Sequence, residues 1–394
     1  MKALIVSEYY PRAGNPVLGV WAHRQALAAR DAGAEVRVLV LHRPIPPLST
    51  IRSGELRTGA AALRQPGAAE LDGIPVRYVR YLSPPRPWSY HSWGMWAAPS
   101  LARALRRLRR EFPFELIHAH YAVPAGDAVR RAVISVPMVL SVHGHDVHGP
   151  GAGGRNVRAA LANAQLVLAN SSGTARRCNQ LGARATRVVH LGTDIPPDPA
   201  PRPPKPVLVT VAHLAARKRH ADVISALAVL REHHPGLRYV IVGAGPERDS
   251  LESLAKSIGV EDLVSFRGQL DHDQALAAAW ASTLFVLPSV DEAFGVAYVE
   301  AMAGAVPAIG CRGEDGPEEI AAAGGGIALV PARDVPALAS QIDSLLRDPA
   351  ALEQLGREAR KTVKREFTWE KCGGETIGAY REALEAYRGA PART

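Results

Sequence analysis

The feature that most constrains this chain is an alternation of short apolar runs with segments of helical period, carried through almost all of its 394 residues. In the first half "ALIVS", "VRVLVL", "VRYVRYL", "ELIHAH", "MVLSVHG", "LVLANS" and "RVVHL" read as strands. In the second, "VLVTVAHL", "RYVIVGAG", "VSFRG", "LFVLPS", "VPAIGC" and "GGGIALVP" do. Their near-continuous Val, Ile and Leu content fits strands covered on both faces, and strands alternating with helices build parallel sheets. Between the two sets lies "DIPPDPAPRPPKP", residues 194–206, with seven prolines in thirteen positions. Proline supports neither a helix interior nor a ladder, so the stretch reads as a stiff linker. The expected fold class is α/β, two Rossmann-like doubly wound domains facing across a cleft. The first spans 1–195, the linker 196–206 and the second 207–367, with a C-terminal helix from about 368 to 394 packing back on the first.

Composition sets the class. Hydrophobic residues make up 47% and charged residues 22%, ordinary for a soluble globular protein. The start, "MKALIVSEYY", has an apolar run too short for a signal peptide and reads as a buried first strand. No apolar stretch approaches the ~18 residues of a membrane span. Cys178, Cys311 and Cys372 are odd in number, widely spaced and outside any C-x-x-C, which suits reduced thiols in a cytoplasmic protein. The charge is uneven. Residues 1–200 hold 25 Lys and Arg against 12 Asp and Glu, whereas the remainder holds 22 against 26. A basic first half suits membrane headgroups, a phosphorylated acceptor or nucleic acid; an Arg-rich proteome explains it equally well.

The segment His42–Gly73 lacks a clear period and reads as a long loop. After it, Trp88, Trp93 and Trp96 precede a helix with Leu101, Ala104, Leu105 and Leu108 on one face and Arg103, Arg106, Arg107, Arg109 and Arg110 on the other. Such a helix either lies on an anionic membrane or docks on the first sheet with a solvated arginine face, and the modest stripe favours docking.

Ligands of open α/β sheets bind beyond the carboxyl ends of the strands. There, "VGAGPE" supplies Gly243 and Gly245 but no third glycine at dinucleotide spacing. "SVHGHDVH", with His118 and His120 upstream, gathers histidines, but their order departs from metallohydrolase patterns. Histidines that line a polar cleft and bond hydroxyl groups are the expectation. Asp271, with Gln274 three residues on, reads as a helix cap and not as a manganese site. "AHLAARKRHAD" puts Arg217, Lys218 and Arg219 where a diphosphate is well held.

The stretch "PSVDEAFGVAYVEAMAG" is the most informative. Glu292 precedes a helix and Glu300 lies within it, with Gly295 at its mouth. The first turn, at Phe294 to Val296, offers unpaired N–H groups and a positive dipole end. At a rise of ~1.5 Å per residue their Cα atoms sit on the order of 10 Å apart, too wide for a covalent glycosidase pair, while an inverting hydrolase pair stays open. A nucleotide-diphosphate sugar, with hydroxyls at each end and an anion between, has the matching shape.

Taken in order, "EAFGVAYVE", "YYPRAGNPVLGVWAHRQALAARDAGAEVRVL", "LIHAH", "SVHGHD", "VVHLGTD", "HLAARK", "VGAGPE" and "VSFRGQL" resemble the retaining GT-B glycosyltransferases of the "glycosyl transferases group 1" family, nearly end to end. The resemblance implies a metal-independent hexosyltransferase that needs no cofactor beyond its nucleotide-sugar co-substrate. It implies that Glu292 meets hydroxyls of the transferred sugar, Lys218 neutralises the leaving diphosphate and His143 touches the donor sugar. Phe294, Gly295 and Val296 would offer amides, and Glu300 would bind the ribose. Gly19 would let a phosphate or acceptor approach, Arg267 and Gly268 would grip the base, and Arg217 and Gly243 would line the donor site. Where relatives carry "G-R-L" this chain has "A-H-L", so His213 replaces a phosphate-binding arginine and makes transfer pH-sensitive. The expected partners are the donor and a glycan, lipid-linked or small-molecule acceptor of the cell envelope or cytoplasm. Peripheral membrane contact through the basic half stays open, and no nucleic acid is expected. A non-catalytic nucleotide-sugar-binding subunit and a histidine-metal hydrolase are the competing readings.

Overall fold

A computed structural model describes residues 1–45, 64–148 and 152–389, apart from the side chains of Pro87 and Trp88. The chain divides into two compact units, Met1–Leu191 with Trp369–Thr394, and Gly192–Thr368. The helices that position the candidate residues are α1 (Val20–Asp31), α2 (Trp93–Glu111), α3 (His220–His233), α4 (His272–Trp280), α5 (Val296–Ala303) and α6 (Trp369–Gly389).

In the first unit the strands are β1 (Lys2–Ser7), β2 (Glu35–His42), β3 (Ala68–Leu71), β4 (Ile74–Arg80), β5 (Leu116–His120), β6 (Met138–Val142), β7 (Leu166–Ala169) and β8 (Thr186–Val188). They form one sheet in the order β3-β4-β2-β1-β5-β6-β7-β8, parallel except where β3 runs against β4. Every residue of β5, β6 and β7 is buried, as continuous apolar strands covered on both faces should be. Helix α2 turns Ala97, Leu101, Leu105 and Leu108 into this core and leaves Arg103, Arg106, Arg107, Arg109 and Arg110 exposed. Full burial of each leucine contributes ~1.5–3 kcal/mol, which holds the helix on its sheet. Helix α6 lies against α1, where Gln25 Nε2 donates to Thr376 Oγ1 at 3.1 Å.

The expectation of one long loop over His42–Gly73 is corrected. Residues 68–74 contain β3 and a two-residue turn at Asp72 and Gly73, with φ of 48° and 78°, that folds β3 onto β4. Both φ values are positive, which hairpin turns of this length need and which Asp-Gly tolerates. Residues 46–63 of that segment lie outside the described residues, as does the Trp88 side chain.

The second unit carries β9 (Val207–Val211), β10 (Arg238–Val242), β11 (Val264–Gly268), β12 (Leu284–Val286), β13 (Ala308–Cys311) and β14 (Ile327–Val330). Their order is β11-β10-β9-β12-β13-β14, all parallel. One face of the sheet packs Leu208, Tyr239, Ile241 and Ile309, and the other Val209, Phe285, Tyr298 and Phe367. The proline-rich residues expected to be a linker belong to this unit. Arg202 donates to the Thr283 carbonyl at 3.1 Å, and Arg360 to those of Pro196 and Pro197 at 2.6 and 2.8 Å. Among the described residues no helix is long and apolar enough to cross a membrane.

Candidate functional site

Strands β9 and β12 are neighbours, so the loops beyond their carboxyl ends meet although 74 residues separate Lys218 from Glu292. The Val290 amide donates to the Arg217 carbonyl at 2.9 Å and ties the two loops together. Tyr298, buried in α5, reaches back to donate to the Leu287 carbonyl at 2.5 Å and lies 3.2 Å from the Ser289 hydroxyl. The turn into α5 is thereby fixed. Gly295 caps the helix at φ 81°, and a Cβ there would stand 2.5 Å from the Tyr298 ring. Only glycine fits.

Within this frame Lys218 Nζ lies 2.5 Å from Glu292 Oε2, and the Ser289 hydroxyl donates to the same oxygen at 2.8 Å. Arg217 Nη1 is 3.9 Å away. The Glu292 amide donates to Glu314 Oε2 at 2.8 Å. Burial pushes the Glu292 carboxyl up, but the Lys218 charge and hydrogen bond, the Arg217 charge and the Ser289 hydroxyl outweigh it, and the net lies below the ordinary value. Glu292 is therefore an acceptor-only carboxylate with one oxygen engaged.

Of the two arginines that flank Lys218, Arg217 faces Glu292, while Arg219 is bound to Asp222 at 2.9 and 2.7 Å. His213 is exposed on the same loop. Phe294 is buried and Val296 opens α5. Gly243 and Gly268 end neighbouring strands, with the Gly243 amide donating to the Gly268 carbonyl at 2.8 Å, and Arg267 is exposed beside them. Glu300 has different company. Its carbonyl accepts from Trp280 Nε1 at 2.7 Å. Burial raises its carboxyl most, with His272 pulling it down and Asp194 pushing it up. His272 and Asp194 lie 3.8 Å apart, and neither stood out in the sequence. The two glutamates thus occupy separate electrostatic settings at one sheet edge. Gly295 opens α5 between them in sequence, at a helix N-terminus whose first amides lack intrahelical partners.

The first unit holds His143 and Gly19. Gly19 caps α1 and packs on the backbone of Tyr9 and Tyr10. His143 Nε2 lies 3.1 Å from His120 Nδ1, and its ring sits 4.9 Å from that of Tyr121 and 6.2 Å from that of Trp21. Burial holds His143 down to about 4, so it is neutral near pH 7. Asp146 accepts from the amides of Ala122 at 3.0 Å and His143 at 3.3 Å, and burial pushes it up to about 7. It shapes the loop that carries His143, a role its place in "HGHD" signalled only weakly. The expectation that the histidines line a cleft is corrected for His118 and His120, which are fully buried inside β5. His118 bonds hydroxyls nonetheless, Tyr380 at 2.8 Å and Ser141 at 2.7 Å. Among the described residues no three His, Cys, Asp or Glu side chains are grouped to hold a metal ion. Asp271 Oδ1 accepts from the Gln274 amide at 2.8 Å and caps α4.

Comparison with known proteins adds the following. Residues 18–196 match the family described as Glycosyltransferase Family 4, and residues 193–362 match Glycosyl transferases group 1. The chain is 28% identical over 415 residues to a glycogen synthase of Mycobacterium tuberculosis, covering 98% of this chain and 96% of that one. Among solved structures it resembles the sucrose-phosphate synthase of Thermosynechococcus elongatus, with a TM-score of 0.79, 21% identity, and 98% and 100% of the two chains covered. It also resembles Anabaena HepE in complex with UDP and glucose, with a TM-score of 0.71, 20% identity, and 97% and 99% covered. These likenesses extend over both units.

Proposed function

The chain belongs to the glycosyltransferases of group 1 and family 4, which have the GT-B fold, and from that premise we propose a metal-independent, retaining hexosyltransferase acting on a nucleotide-diphosphate sugar. The observation that carries the reading is the Lys218–Glu292 contact beside the Gly295 turn, where α5 offers its free amides. The diphosphate would lie against those amides and Lys218, with the sugar toward Glu292 and the ribose toward Glu300. The UDP and glucose held by the Anabaena protein support a donor of this kind.

Transfer to an acceptor hydroxyl needs the bond between sugar and diphosphate to loosen. Negative charge then grows on the leaving phosphate, and Lys218 and the α5 amides are already aimed where it appears, so they stabilise it without reorganising. Arg217, 3.9 Å from Glu292, adds a second cation beside Lys218. No side chain stands out as general base, so the leaving phosphate takes the acceptor's proton and the departing group itself guides attack to the retained face.

A panel of UDP-, GDP-, ADP- and dTDP-sugars tests the reading. One donor should raise the melting temperature by mass action, and nucleoside diphosphate should be released on adding acceptor. Glu300→Ala should lose the donor shift. Donor binding without release under any acceptor would favour a non-catalytic subunit, and absence of any donor shift would refute the proposal.

A further inference from the structure

At the carboxyl edge of the first sheet three guanidinium groups, those of Arg86, Arg12 and Arg43, lie in the field of one carboxylate, Glu8. Glu8 and Arg12 follow β1, Arg43 follows β2, and Arg86 comes after β4. Arg12 Nη2 donates to the carbonyls of Glu8 at 2.6 Å and Leu41 at 3.1 Å. Tyr90 donates its hydroxyl to Glu8 Oε2 at 3.0 Å. Arg86 lies over the Tyr90 ring, 4.2 Å from its centroid, and donates to the Tyr9 hydroxyl. Arg43 is spent on the protein itself, donating to Ser83 Oγ at 3.0 Å and the Ile45 carbonyl at 2.7 Å. Three cations around one carboxylate leave a positive excess in partly buried surroundings, where an anion is strongly favoured.

Two more observations point to an anionic ligand. The Arg12 Nε–H is buried without a hydrogen-bond partner. So is the Tyr81 hydroxyl, whose side chain is 3% exposed and lies in the field of Glu8, Arg12, Arg43 and Arg86. Buried polar groups are nearly always paired, so two unpaired donors in one cluster call for an acceptor. Arg86 is exposed and carries five N–H donors, of which one serves Tyr9. An aromatic wall runs from there toward His143. Arg86 stands 5.8 Å from the Tyr9 ring, Tyr9 lies 4.8 Å from Tyr121, and Tyr121 lies 4.9 Å from His143.

We propose that the acceptor carries an anionic group, a phosphate or a carboxylate, that seats on Arg86 and Arg12 while its sugar-like body lies along Tyr9 and Tyr121 toward His143. The inference rests on the reading that the first unit binds the acceptor. A neutral glycan would leave the arginine excess unanswered. A phosphate or carboxylate oxygen accepts from both guanidinium groups, and the ring faces of Tyr9 and Tyr121 offer a flat platform to the sugar.

The test titrates the full chain with glucose, glucose 6-phosphate, glucuronate and inorganic phosphate, following melting temperature and tryptophan fluorescence. At least one anionic sugar should bind about tenfold or more tightly than glucose, the size expected of a charge-assisted contact. Whether glucose 6-phosphate or glucuronate prevails identifies the anion. Arg86→Gln, at an exposed position, should fold normally and erase the preference; Arg12→Gln should weaken it similarly, and Arg103→Gln, on the solvated face of α2, should retain it. Equal binding of neutral and anionic sugars, binding of none, or a preference that survives Arg86→Gln overturns the proposal. Nucleoside diphosphate binding in the same samples reads the donor site separately. If it persists while arginine-dependent anion binding is absent, this proposal alone falls; if no nucleoside diphosphate binds, the transferase reading falls and takes this proposal with it.

Discussion

Replacing Lys218 by Met separates an electrostatic role from a packing one, because methionine keeps the length of the side chain and removes its charge. Lys218 and Glu292 are 12% and 8% exposed, and their charged atoms are 2.5 Å apart. At that distance and an effective dielectric of ~20 the attraction is about 7 kcal/mol before desolvation is counted. Removing one partner of such a pair leaves the other buried and unmatched, at a cost of ~3–5 kcal/mol. For a unit of this size each kcal/mol lowers the melting temperature by roughly 2–4 °C, so a loss of roughly 6–20 °C is expected near pH 8. The pH dependence is the sharper signature. In the wild type Glu292 is depressed, so its contribution is present above the unfolded value of 4.5 and is lost as pH falls through the folded one. Without Lys218 the largest opposing charge is gone and burial, which raises the carboxyl, gains weight. The variant can then take up a proton at low pH and recover part of the loss. The gap between the two proteins, measured by thermal unfolding, should therefore widen from pH 4.5 to pH 8. A gap that stays the same at both pH values would refute the reasoning, since lost packing alone does not titrate.

The other expectations are simpler. Gly295→Ala should cost ~1–2 kcal/mol from its left-handed backbone alone, and more from overlap with Tyr298, seen as a lowered melting temperature together with lost donor binding. An alanine there that melts and binds as the wild type does would contradict the turn geometry. Glu300→Ala should weaken binding of the nucleoside diphosphate about tenfold or more in calorimetry with little change in melting, because its carboxyl is held at a net cost of burial. Tyr380→Phe should cost ~1–3 kcal/mol by leaving His118 Nδ1 unpaired in the core, and an unchanged melting curve would show that α6 is held by apolar contact alone.

Much of the fold was legible because parallel strands buried on both faces must be apolar throughout, and runs such as "MVLSV" and "VLVTV" have few other uses. Strand β3 escaped notice because "AAEL" is an edge strand, half exposed and short of β-branched residues. Its Asp-Gly turn was a readable signal that the surrounding Ala, Gly and Pro obscured. At the site, the helix mouth and both glutamates could be placed from spacing alone. The pairing of Lys218 with Glu292 could not, since it follows from β9 and β12 being neighbours, a strand order that local sequence does not encode. The same holds for His272 and Asp194 near Glu300, and for Arg12, Arg43 and Arg86 around Glu8. Each depends on which strand ends stand side by side. The prolines of 196–206 show the converse: local chemistry reads as a linker, but carbonyls held by Arg360 bind the stretch to one unit.

The proposed transferase site depends on a diphosphate held by Lys218 and the amides of α5. Isothermal titration of the nucleoside diphosphate that stabilises the protein most, beside the nucleoside lacking its phosphates, tests that claim directly. The diphosphate should bind at least about a hundredfold more tightly, and Lys218→Met should remove most of the difference while leaving nucleoside binding intact. Equal affinity for the two, or a difference untouched in Lys218→Met, would contradict it.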